Sequence, residues 1–291
     1  GKAQTGSFSG AGFHCIKSIK EAARGDRCKI AGQIGKAHFS RFIQKNLKIA
    51  VAVFDGVADN IIQDTAEERT VKTAGYRIFG KMDFGNDSFF LKITVVGGQA
   101  FLQNKAQKLY YDTDHHWTTE GGAYIAYQEF CQRQGFAPAQ FAEEDFTPVP
   151  DFYGTTYAKC VLWNQLPDTL RYLDLPNQMT IWKSDGLGGW SAANPGTDAG
   201  TIGLYDLSKL GTTDKYAMFL YGNNSYTTIQ GSGKGKLLVI KDSYANCLVP
   251  YLAQHYAQIG VIDPRGYGLP IDDLMEQEGY DEVLFVFNFQ T

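Results

Sequence analysis

Residues 236–264 read KLLVIKDSYANCLVPYLAQHYAQIGVIDP, and the order of patterns inside them decides the fold class. "KLLVIKDS" is an apolar run of strand length that stops at the polar pair Asp242-Ser243. Beyond it, Leu248, Tyr251, Leu252, His255 and Ile259 recur at spacings of three and four, as on one face of a helix. Pro250 belongs near a first turn or would kink the helix, so the start of that helix is left open. Gly260 is expected to stop it, and "VIDP" to form a short strand. "PIDDLMEQEG" then has Pro at its head, acidic residues in its first turn and Gly at its end, which predicts a short helix. "DEVLFVFNF" closes the chain as a nearly continuous apolar strand. Buried strands alternating with helices in this way predict an α/β fold, a mostly parallel sheet with helices on both faces.

Working outward, "YAMFLYGN" at 216–223 reads as another buried strand, placed beside the one that ends at Ser243. Between Thr118 and Gly135 a helix is expected, with Thr118 or Thr119 as cap and Gly135 as terminator. Residues 184–213 form a long polar loop, which in a compact domain is often functional. Trp182 and Trp190 beside it suit a sugar or other flat ligand; ordinary surface packing is the competing reading. Upstream, "LKIAVAVFDGVADNII" and "FFLKITVVGGQAFL" read as strands and "IKSIKEAARG" as a short helix. "GQIGKAH" lacks the third glycine of a dinucleotide loop, and "GSGKGK" lacks the spacing and hydroxyl of a phosphate loop, so both read as turns.

The composition narrows the function classes. A 291-residue chain that is 44% hydrophobic and 14% aromatic has a real core. Net charge is −4, which gives no overall case for nucleic acid. Residues 1–48 depart from that average, with ten Lys or Arg against Glu21 and Asp26. That basic segment either touches an anionic surface or is a solvated terminus. Five scattered cysteines without a CxxC pair support neither a zinc ribbon nor a redox dithiol. No apolar run reaches the ~18 residues of a membrane span. The chain opens on Gly1 rather than Met, with no signal-peptide pattern visible, and a leader removed ahead of this numbering would explain that start.

The densest chemistry lies in "YYDTDHHWTTEGGAY", Tyr110 to Tyr124. Asp112, Asp114, His115 and His116 are all possible metal ligands. In an extended segment, however, neighbouring side chains point to opposite faces, which puts His115 away from Asp114 and His116. No HxxxH or HxH partner completes a metal set, and no cofactor is expected. As a catalytic pair the residues fit better: Asp114 can accept the Nδ1–H of His116 and fix its tautomer. Ser243 stands where an α/β sheet would place a nucleophile, at a strand's carboxyl end in the turn to a helix. Its own amide, with Asn223 from the preceding Gly-Asn turn, could hold an oxyanion. Arg265 either anchors an anionic substrate group or bonds the sheet edge. Taken singly, Asp-x-His is an ordinary surface turn and a strand-end "DS" an ordinary helix cap.

"YYDTDHHWTTEGGAYIAY", followed by "YAMFLYGN", "LLVIKDSYANCLVPYLAQHY" and "VIDPRGY", resembles the bacterial DHHW protein family. That family is similar to the SGNH-hydrolase-like alginate O-acetylation proteins, which carry Asp-x-His-Trp ahead of their serine. The resemblance covers residues 108–291, while residues 1–107 do not align with it and are expected to be part of the same α/β domain. It implies an SGNH-hydrolase-like (flavodoxin-like) fold and a catalytic set of Ser243, His116 and Asp114, with Trp117 packed behind His116. It further implies a serine-dependent esterase or O-acetyltransferase acting on an acylated polysaccharide, outside the cytoplasm or at the cell envelope, with envelope proteins as possible partners. A non-catalytic polysaccharide-binding scaffold and a metal-dependent hydrolase are the rival readings.

Overall fold

The computed structural model describes residues 48–54, 77–84, 87–95 and 99–288, apart from 161–162, 188 and 198–199. The helix expected at "IKSIKEAARG", the basic segment before Lys48 and the "GQIGKAH" turn lie outside these residues. In chain order the described elements are β1 (Lys48–Phe54), β2 (Arg77–Phe84), β3 (Asp87–Val95), α1 (Gln99–Gln103) and α2 (Tyr124–Gln134). Next come β4 (Phe146–Phe152), α3 (Thr155–Cys160), β5 (Asp168–Leu173), β6 (Gln178–Ser184), β7 (Trp190–Ala192) and β8 (Ile202–Gly203). The chain continues with β9 (Tyr226–Gln230), β10 (Lys236–Lys241), α4 (Val249–Leu252), β11 (Gln258–Ile262), α5 (Ile271–Glu278) and β12 (Glu282–Asn288).

One large sheet runs β2-β3-β1-β12-β10-β11-β9-β6-β7, with β8 also on β6, and β4 and β5 form a separate two-stranded sheet. The flavodoxin-like, mostly parallel SGNH-type sheet with helices on both faces is therefore not what forms. Only the middle is parallel: β3-β1, β1-β12, β12-β10 and β10-β11. Both flanks are antiparallel, β2 on β3 at one edge and β9, β6, β7 and β8 at the other. Antiparallel neighbours need no helical crossover. Among the described residues helices are accordingly few and short, and α4 spans four residues.

Strands β10, β11 and β12 are buried along most of their length, as continuous apolar runs in the middle of a sheet should be. The helix expected after Ser243 is cut short for a long-range reason. The turn between β9 and β10 folds back on it, so that Ser232, Gly233 and Lys234 donate to the carbonyls of Ala253, Tyr256 and His255. A Cβ on Gly231 or Gly233 would lie 2.0 Å from that backbone, so only glycine permits the approach. Gly260, expected as a helix stop, instead sits inside β11. "YAMFLYGN" is not a strand either. It forms a 3₁₀ turn, Lys215–Met218, and then Leu220, Tyr221 and Gly222 all take positive φ, which no strand tolerates. The helices expected to end at Gly135 and Gly279 do form, and these glycines close α2 and α5 at φ 78° and 69°.

Candidate active site

The segment from Tyr110 to Trp117 is a closed loop rather than an extended one. Tyr110 bridges to Trp117, Tyr111 N donates to His116 O, and Thr118 N donates to Leu109 O. Gly121 and Gly122 let the next turn press on it: a Cβ at Gly122 would stand 2.5 Å from that of Trp117. From the other side Asp168, at the head of β5, accepts from Thr113 N at 2.8 Å, Thr113 Oγ1 at 2.6 Å and Lys108 Nζ at 2.5 Å. The loop is thus clamped by a buried carboxylate from another element.

At its tip Asp114 and His116 are both buried. Asp114 Oδ1 accepts from His116 N at 2.9 Å and lies 2.5 Å from His116 Nδ1. Asp114 Oδ2 accepts from Thr155 N at 2.7 Å and Thr155 Oγ1 at 2.9 Å. Burial would raise the Asp114 pKa, but the His116 ring and the Thr155 amide outweigh it and hold the carboxyl well below its usual range. On the far side of the ring, His116 Nε2 is 2.8 Å from Ser243 Oγ. The result is one hydrogen-bonded chain, Asp114–His116–Ser243, whose ends lie 129 positions apart in the sequence.

Ser243 opens the 3₁₀ turn Ser243–Cys247 at the carboxyl end of β10, and Asp242 caps that turn by accepting from Tyr244 N at 2.9 Å. Ser243 is only partly buried, unlike Asp114 and His116. Tyr216 lies flat on the His116 ring, centroids 3.7 Å apart and planes within 10°, and its hydroxyl donates to Ser243 O at 3.2 Å. Burial pushes the Tyr216 phenol well above its ordinary pKa, so it is a neutral donor. Trp117 is fully buried and donates Nε1–H to Tyr244 O at 2.9 Å, which ties the histidine loop to the serine turn.

Asn223 Oδ1 accepts from Lys241 Nζ at 2.9 Å and from Asn246 Nδ2 at 3.2 Å. With its oxygen held by two donors, the amide's NH₂ faces away from both. Lys241 is almost wholly buried; burial pushes its pKa down to about 8 against the opposing pull of Asp263 and Asp242. Arg265 grips Asp263, at the end of β11, with Nε at 2.9 Å and an Nη at 2.5 Å. The Arg265 side chain stays 59% exposed while it holds Asp263.

His115 does not face away. In the closed loop its ring lies 3.9 Å from that of His116, and its Nδ1 is 2.7 Å from Thr155 Oγ1. The ligand atoms of Asp114, His115 and His116 fall within 4.8 Å of one another, the spacing a cation would need. Both nitrogens of His116 are already engaged by Asp114 and Ser243, so a cation there would have to displace one of those bonds. Sequence reading missed Thr155, Asp168, Tyr216 and Lys241. Each acts through contacts far along the chain, and no local pattern marks them.

Residues 99–262, more than half of the chain, match the family described as DHHW protein. No curated protein matches the sequence. Among solved structures, a DHHW family protein from Eubacterium siraeum is 19% identical, with TM-score 0.61, over 97% of this chain and 85% of its own. PatB1 of Bacillus cereus, carrying a sulfonyl adduct, is 16% identical, with TM-score 0.59, over 99% and 91%. The O-acetyltransferase domain of Pseudomonas putida AlgJ is 13% identical, with TM-score 0.41, over 97% and 84%. The first two share this chain's overall fold.

Proposed function

From the premise that the chain belongs to the DHHW family, we propose that it is a serine-dependent carbohydrate esterase or O-acetyltransferase acting on a cell-envelope or extracellular polysaccharide. The observation that carries this reading is the continuous chain from Asp114 Oδ1 through both ring nitrogens of His116 to Ser243 Oγ, at 2.5 and 2.8 Å. The order of roles follows from it. His116 Nε2 takes the Ser243 proton as Oγ attacks the acyl carbon, and Asp114 stabilises the imidazolium. The Ser243 amide, at the open start of its turn, and the Asn223 NH₂ donate to the oxyanion. The imidazolium then protonates the departing alkoxide, leaving an acyl-serine. Water or a sugar hydroxyl, deprotonated by His116, completes the cycle by hydrolysis or transfer. Tyr216 positions the ring that shuttles these protons, and Trp117 holds the two loops together.

Among the described residues no helix is long and apolar enough to cross a membrane. With the polysaccharide substrate goes the proposal that the protein works outside the cytoplasm or at the cell envelope. The reading is tested by turnover of a small aryl acetate, with Ser243→Ala and His116→Ala as controls. Turnover lost in both variants is expected. Undiminished turnover in either one would sink the serine mechanism, and wild-type inertness toward acyl esters would favour a binding role.

A further inference from the structure

Alternation along β6 and β9 gives the large sheet two different faces. Ile181 and Ile229 point into the core that contains Trp117. Their neighbours Trp182, Thr180, Tyr226, Thr228 and Gln230 therefore share the opposite face. There they line a groove of about 420 Å³, within the usual span for small-ligand sites. Trp182 is fixed by its Nε1–H, which donates to Thr228 Oγ1 at 2.8 Å. Trp190 stands edge-on to Tyr226, centroids 5.2 Å apart, and stacks on Tyr267 at 5.6 Å and 11°.

The groove starts at the serine end of the sheet. Tyr267 lies two residues past Arg265 in the loop leaving β11, and Gly266 rests on Ser225, two residues past Asn223. From Tyr226 the groove follows β9 to Gln230, which pairs with Gln258 at the far end of β11. Four residues of strand make that run about 13 Å long. Beyond the rings at the Tyr226 end, Thr180, Thr228, Gln230 and Gln258 line the rest of the run with hydroxyls and amides. Among the described residues lining it there is no lysine or arginine, and Glu278 is its one carboxylate.

We infer that this groove binds a short run of neutral sugar residues. A pyranose has an apolar C–H face, which suits an indole or phenol ring, and a rim of hydroxyls, which suits amides and hydroxyls. A cation-free wall with one carboxylate disfavours phosphate, sulfate or uronate by leaving their charge unpaired. A part for this groove in acyl chemistry at Ser243 rests on the esterase reading; the binding itself does not.

Isothermal titration of the Ser243→Ala protein with N-acetylchitohexaose, cellohexaose and an alginate hexamer tests the inference. At least one neutral hexamer should bind, with the alginate hexamer tenfold weaker or more. Trp190→Ala should weaken the neutral ligand at least tenfold. The exposed Gln230→Ala, which leaves the aromatic stack intact, should weaken it several-fold and serves as the arbiter if Trp190→Ala does not fold. Aryl acetate turnover measured with Ser243 restored should be unchanged in both. The inference is overturned if no neutral hexamer binds, if only the alginate hexamer binds, or if affinity survives both substitutions. Binding without any aryl acetate turnover would instead count against the esterase reading alone.

Discussion

Replacing Asp114 by Asn probes the site with almost no change of shape. The wild-type carboxylate accepts on both oxygens: Oδ1 from the His116 amide and ring, Oδ2 from the Thr155 amide and hydroxyl. An asparagine has one accepting oxygen and one donating NH₂. With its oxygen toward His116, the NH₂ meets the Thr155 N–H, donor against donor. With its oxygen toward Thr155, the NH₂ faces His116 Nδ1 and forces the proton onto Nε2, where it can no longer accept from Ser243. Either arrangement forfeits one charge-assisted bond, about 1.5–3 kcal/mol of stability. The second also removes the general base. Loss of the correct tautomer in a Ser-His-Asp set costs roughly 10⁴ in kcat, about 5 kcal/mol of transition-state stabilisation. The assay is steady-state hydrolysis of 4-nitrophenyl acetate alongside urea unfolding. The flipped arrangement, which keeps both Thr155 bonds, is the one expected, and a variant that unfolds earlier yet keeps kcat within about tenfold of wild type would refute it.

Gly154→Ala places a Cβ 2.2 Å from Asp114 Cβ and 2.3 Å from its Oδ2. Overpacking of this kind costs roughly 1–3 kcal/mol, and the displaced carboxylate should lower kcat by about 10²; normal kinetics in that variant would show that Asp114 tolerates the shift. Lys241 supplies a pH signature. Its folded pKa, about 8, lies below the ordinary 10.5, so the unfolded chain holds the extra proton between those values. The burial cost is then fully present below about pH 8, about 3 kcal/mol, and is relieved as pH rises toward the unfolded value. The unfolding free energy of wild type relative to Lys241→Met should therefore climb by about 3 kcal/mol from about pH 7.5 to about 10.5; a flat difference would mean that Lys241 is charged without penalty. The same variant releases Asn223, and its kcat should fall while KM holds.

What could be read from the residues depended on how local the determinant was. α5, β10 and β12 carry their own periodicity and caps, and they form close to where the pattern puts them. The antiparallel flank was hidden because "SYTTIQ" and "QMTIWKS" look polar: one face of those strands lines an open groove rather than a helix-covered core. "YAMFLYGN" misled in the opposite direction, since an apolar buried segment resembles a strand whatever its φ angles. Asp114 and His116 were legible as a spacing, and Ser243 as a strand end. The side His115 takes was not, because closure of the Tyr110–Trp117 loop depends on Asp168, fifty-five residues from Thr113. Lys241 read as one more strand residue, since its partner Asn223 belongs to a turn eighteen positions away.

The central claim is that Ser243 is the nucleophile made reactive by His116. The most direct measurement is peptide mass spectrometry after incubation with an aryl sulfonyl fluoride, which labels an activated serine hydroxyl. The expected result is one adduct on the peptide containing Ser243, lost in Ser243→Ala and slowed by orders of magnitude in His116→Ala. A wild-type protein that stays unlabelled, or a Ser243 label formed as fast without the His116 ring, would contradict the account.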